Sequence, residues 1–187
     1  MKHANTKKTS LRTRVLVGGV AAGALAAGTF GAVSATAAPS APAAVSADAA
    51  NRNLQESTHL TVAAATKAAQ ATLDAAKKDG QRVSVAVVDR NGNTVVTLRG
   101  DGAGPQSYAS AEKKAFTAVS WNAPTSELAK RLEQAPNLKD IPGTLFLAGG
   151  APVKAKGAPI AGIGVAGAPS GDQDEKFAQA GVAALAR

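Results

Sequence analysis

The chain has 187 residues, 21 of them Lys or Arg and 13 Asp or Glu, for a net charge of +8, and it has no cysteine. Without thiols there is no disulfide, thiolate nucleophile, iron–sulfur cluster or cysteine-type zinc site. Five of the basic residues fall in the first 14 positions, and the rest of the chain carries 16 bases against 13 acids, which removes most of the electrostatic case for nucleic-acid binding.

Residues 1–37 read as an export signal. Lys2, Lys7, Lys8, Arg12 and Arg14 form a basic start, and an apolar stretch runs from Val15 to Val33. Ala35-Thr36-Ala37 is a small-x-small cleavage site, with Pro39 beyond it. Eleven of the 19 apolar positions are Gly or Ala, a composition too mild for a typical membrane span. The expectation is a secreted or extracytoplasmic protein, by the general or the twin-arginine route; the alternative is an uncleaved anchor. Residues 38–57 are rich in Ala, Pro and Ser and read as a flexible tether. Residues 58–187 are one domain in size.

Within that domain, Thr61 is placed to cap a helix running to Lys78. Val62, Ala65, Ala69, Leu73 and Ala76 form its narrow apolar face, suited to close packing on a sheet. Asp74 and Lys78 are four residues apart in the favourable order, and Gly80 supplies a stop. Val83 to Val88 reads as a strand, Asn91-Gly92 as a hairpin turn and Thr94 to Leu98 as the returning strand. Ser107 is expected to cap a helix from Tyr108 to about Trp121, and Thr125 or Ser126 one reaching Glu133. Leu145 to Ala148 and Pro159 to Val165 read as strands, with a possible short strand at Val153-Lys154. A last amphipathic helix spans Gln173 to Ala186. The pattern is an α+β fold: a mainly antiparallel sheet with packed helices.

Several catalytic readings fail on their own terms. Gly162-Ile163-Gly164-Val165-Ala166-Gly167 spells a dinucleotide fingerprint, but no strand follows and too few residues remain for a βαβ unit. Glycines in a strand against which another backbone packs closely are the better reading. His59 is the one imidazole beyond the signal, and its distance in sequence from the glycine-rich loops argues against a Ser-His-Asp triad. Arg99 and Asp101 are expected to brace a loop as a carboxylate pair. Asp172 and Glu175, three apart at a helix start, suit iron or calcium, or simply the helix dipole.

Taken in order, Val85-Ala86-Val87-Val88-Asp89-Arg90-Asn91-Gly92-Asn93 with Arg99-Gly100-Asp101-Gly102-Ala103, then Lys113-Lys114-Ala115-Phe116-Thr117-Ala118, Gly149-Gly150-Ala151-Pro152 and Ile163-Gly164-Val165 resemble the GlcG/HbpS-like family of small haem-associated proteins. The resemblance covers about Leu60 to Ala184. It implies a profilin-like fold, haem as the bound cofactor, an iron ion, homo-oligomers, and a protein that binds haem, degrades it or reports it to a membrane sensor by redox sensing. Relatives linked to glycolate or diol metabolism imply a small-metabolite enzyme or accessory protein instead, and a pure interaction module is a third reading.

The resemblance also directs attention to one helix face. Ser110, Lys113, Thr117 and Trp121 share a stripe, and Thr117 falls in the Lys-Ala-x-Thr-Ala element, where the family's threonine is a proposed haem contact. On this expectation Lys113 pairs with a propionate, the Trp121 indole packs on the porphyrin and His59 ligates iron. The bland reading is that Thr117 bonds its own helix and Trp121 fills the core.

Overall fold

The structure is a computed structural model that describes residues 48–186. The export signal and residues 38–47 of the tether lie outside the described residues. After an exposed arm with a 3₁₀ turn at Asn51–Asn53 come α1 (Val62–Lys78), β1 (Ser84–Asp89), β2 (Thr94–Arg99), α2 (Ser107–Trp121), α3 (Thr125–Lys130), β3 (Gly150–Ala155), β4 (Ala158–Ala166) and α4 (Gly171–Ala184). The four strands form one antiparallel sheet in the order β2-β1-β4-β3. The α+β expectation holds.

Strand alternation sets the layers. Val85 and Val87 point to the face covered by α1 and α4, where they meet Ala65, Ala69, Ile163, Val165 and Phe177. Ala86 and Val88 point the other way, to Ala111, Ala115 and Val119 of α2. Because β1 is central and covered on both faces, its sequence is a continuous apolar run rather than an alternation. The alanine face of α1 packs on the sheet at β1 and β2, as expected, and also on α4. Ala68 and Thr72 lie against Gly181, so two helix backbones approach closely.

The glycines of β4 do what the strand reading requires. A Cβ at Gly162 or Gly164 would collide with the backbone carbonyls of Ala115 or Ala111, so α2 lies directly on the strand. No dinucleotide fold is formed among the described residues.

Local chemistry explains the ends. Thr61 Oγ1 accepts from Ala64 N at 3.1 Å, and Gly80, at φ +69°, ends α1. The β1–β2 connection differs from a two-residue turn: Asp89 N donates to Asn93 O, only Gly92 has positive φ, and Asp89 Oδ1 accepts from Asn91 N and Asn93 N. The two-residue turn occurs instead at Lys156-Gly157, with φ of 51° and 81°.

Three expectations are corrected. Residues 145–148 are not a strand: Leu145 N donates to the Thr117 hydroxyl rather than to a ladder, and the strand starts at Gly150, after Gly149 turns the chain at φ +129°. The strand carries Pro152 because β3 is an edge. Ser107 is not a cap; it opens α2, donates to Gly104 O and pairs with the Ser84 hydroxyl at 2.8 Å. Neither Thr125 nor Ser126 caps α3, which ends at Lys130 and is followed by 3₁₀ turns at Arg131–Glu133 and Pro136–Asp140.

Candidate functional site

The stripe on α2 is divided by what covers it. Lys113 is exposed and Ser110 half-buried, at the open part of the helix. Thr117 is fully buried. Its hydroxyl donates to Lys113 O at 2.7 Å and accepts from Leu145 N at 2.8 Å, so both functions are used. Trp121 is half-buried and meets Phe146 edge-on, with ring centroids 5.2 Å apart, in a small cluster with Ala123 and Leu128. A strap of residues 141–149 therefore covers the lower half of the stripe and leaves Lys113 open.

The adjacent lysine, which sequence reasoning passed over, is the buried one. Lys114 Nζ donates to Asp174 Oδ2 and to Val165 O, both at 2.9 Å. Gly149 makes room for it, since a Cβ there would lie 2.6 Å from Nζ. Asp174 also accepts from Ala168 N. Burial raises the Asp174 carboxyl above its ordinary value, although Lys114 and the Ala168 and Gly167 N–H groups pull it back. A signal was available: Lys114 lies between Ala111 and Ala118 on the apolar face of α2, where an unpaired ammonium is disfavoured.

Glu175 is the second buried acid. It accepts from Ser126 N at 2.9 Å and Ser126 Oγ at 2.6 Å, with longer contacts from Gly149 N and the Thr125 hydroxyl. It thus ties α4 to the start of α3 and to the strap. Asp172 is exposed, so the two carboxylates proposed as ligands are not presented together. No group of three or more His, Cys, Asp or Glu side chains that could hold a metal ion occurs among the described residues. Arg99 braces its loop, but through Ala103 O rather than Asp101.

His59 stands on the exposed arm. Its Nε2 lies 2.7 Å from Ser57 Oγ, and its Nδ1 is 4.0 Å from Asp89 Oδ2, an electrostatic contact longer than a hydrogen bond. Burial raises the Asp89 carboxyl, but hydrogen bonds from Asn93 and Asn91, with His59 nearby, outweigh it and hold it below its ordinary value. The same turn touches α2: a Cβ at Gly92 would lie 2.9 Å from the Phe116 ring. One turn therefore joins His59 to the helix residue beside Thr117. Among the described residues no helix is long and apolar enough to cross a membrane.

Comparison with known proteins places this geometry. The family described as "Haem degrading protein HbpS-like" matches residues 60–183. A double mutant of Streptomyces reticuli HbpS is 77% identical, with TM-score 0.74, over 76% of this chain and 97% of that one. Klebsiella pneumoniae protein ORFY is 28% identical, with TM-score 0.67, over 71% and 94% of the two chains. A PduOC:heme complex is 28% identical, with TM-score 0.62, over 68% and 95%. A search of curated protein sequences gives no match.

Proposed function

The chain belongs to the haem-degrading HbpS-like family, and from its haem-related membership we propose that it is an exported protein that binds haem, supports its degradation and reports it to a membrane sensor. The family match across residues 60–183 carries the reading, and the likeness to a haem-bound PduOC structure supports it.

The side chains fit a haem in part. The exposed Lys113 ammonium suits a propionate. His59, with its side chain 35% exposed, offers an imidazole, the usual nitrogen ligand of haem iron, beside the turn that meets α2. The Thr117 hydroxyl already donates to Lys113 O and accepts from Leu145 N, and Trp121 packs against Phe146. In this proposal these two act from beneath the bound group: Thr117 ties the strap to α2, and Trp121 supports the strap from Phe146. Either reaches haem directly only where the strap is displaced.

Bound haem would supply the oxidative chemistry. The chain's own part is to neutralise a propionate at Lys113, present His59 on the arm and hold α2 rigid through Lys114 and Asp174. An iron ion at Asp172 and Glu175 requires Glu175 to leave Ser126, and here Glu175 is read as a brace between helices. Assembly into homo-oligomers would allow His59 of one copy to serve a neighbour's α2. Haemin titration of the purified chain tests the reading.

A further inference from the structure

We propose that a second site, separate from the haem reading, binds a small organic carboxylate in the cleft between the end of α1 and the end of β2. The cleft holds about 450 Å³, within the range of small-molecule sites. Lys77, Arg82 and Arg99 line it together with Leu73, Asp74 and Asp101.

The charges decide the ligand's sign. Neither Lys77 nor Arg82 makes a side-chain hydrogen bond or ion pair among the described residues, and both are exposed. Arg99 spends Nε and Nη2 on Ala103 O and keeps Nη1 uncommitted. On the acidic side, Asp74 accepts from the Gln70 amide at 2.9 Å. The carbonyls that end α1 do not repel an anion strongly. Ala76 O accepts from Gln81 N at 2.8 Å and Lys77 O from Gly80 N at 3.0 Å. The lining thus carries three cations, Lys77, Arg82 and Arg99, against two carboxylates, Asp74 and Asp101, which leaves the cleft net positive.

The Arg82 side chain runs alongside Gly102, at φ +76°, and a Cβ there would come within 2.9 Å of Arg82 Cδ. A neighbouring cleft of about 380 Å³ shares Gly80, Gln81 and Arg82, so this side chain stands between two hollows. A guanidinium pairs with a carboxylate through two parallel hydrogen bonds, and Lys77 adds a point charge. Leu73, half-buried on the cleft wall, gives an apolar body a surface to cover. A bare inorganic anion would leave that surface wet, which selects an organic carboxylate.

The test is a low-salt ¹H–¹⁵N titration of the full chain with benzoate, and with acetate and inorganic phosphate as comparators. The proposal expects saturable shifts at the amides of Gly80 to Val83 and of Gly100 and Asp101 with a millimolar Kd for benzoate, and several-fold weaker binding of both comparators. Arg82→Gln and Lys77→Gln, at exposed positions, should each weaken benzoate by about tenfold with an otherwise unchanged spectrum. Haemin titration should be unchanged in both variants, so this site and the haem reading fail independently. The proposal is overturned by shifts that never saturate, by phosphate binding as tightly as benzoate, or by an Arg82→Gln chain that binds like the parent.

Discussion

Lys114 and Asp174 form an ion pair inside the domain, with Nζ 2.9 Å from Oδ2 and side chains only 6% and 4% exposed. The pair joins α2 to α4 beside the end of β4, where Val165 O shares the ammonium. Breaking a buried pair from one side leaves an uncompensated charge. Lys114→Met or Asp174→Asn should each lower stability by about 3–5 kcal/mol. Replacing both should cost less than the sum, and the remaining loss of about 1–3 kcal/mol reflects the Val165 carbonyl left without its donor, since the introduced amide oxygen can still accept from Ala168 N. Urea unfolding of the double-mutant cycle checks this; additive losses would contradict the coupling.

Thr117 and Lys113 should separate packing from binding. Thr117→Ala leaves the part-buried Leu145 N–H without an acceptor and should destabilise by about 1–3 kcal/mol, with Thr117→Ser restoring most of it. Because the strap then loses its tie to α2, the Soret spectrum of the haemin-loaded variant should change. Lys113→Ala should leave stability within about 0.5 kcal/mol and weaken haemin binding. A haemin titration unchanged in Thr117→Ala would confine that residue to packing; one unchanged in Lys113→Ala would remove the propionate contact.

Asp89 gives a pH dependence of known sign. Its carboxyl sits below the ordinary value when folded. Its stabilising contribution is therefore present above about pH 4, the ordinary carboxylate range, and is lost as pH falls through the folded value. The stability difference between wild type and Asp89→Asn should shrink as pH drops below about 4. A difference that grows on acidification would contradict the assignment.

Export is checked at the N-terminus. Protein recovered from culture medium should begin at Ala38, after Ala35-Thr36-Ala37. Recovery of only the full-length chain inside cells would sink the claim.

Much of the fold was legible because single residues carried it. Thr61, Gly80 and the valine run of β1 each specify one local conformation, and Gly162 and Gly164 read correctly as a place where another backbone packs closely, which the structure shows to be that of α2. The strap was not legible. Leu145 to Ala148 has strand composition, but the partner of Leu145 N is a side chain 28 residues earlier, which no local period reveals. The site was only partly readable for a related reason. Spacing put Lys113, Thr117 and Trp121 on one stripe, but which lysine turns inward depends on Asp174, which lies 60 residues beyond Lys114. Likewise the neighbours of His59 are set by the β1–β2 turn, whose side-chain closure by Asp89 the Asn-Gly pair alone did not disclose.

The most direct test of the central claim is an absorbance titration of the purified chain with haemin. The account predicts a saturable Soret band distinct from free haemin, with a definite stoichiometry, and a changed spectrum in His59→Ala. A spectrum that remains that of free haemin at every ratio would contradict the assignment of this chain as a haem-binding protein.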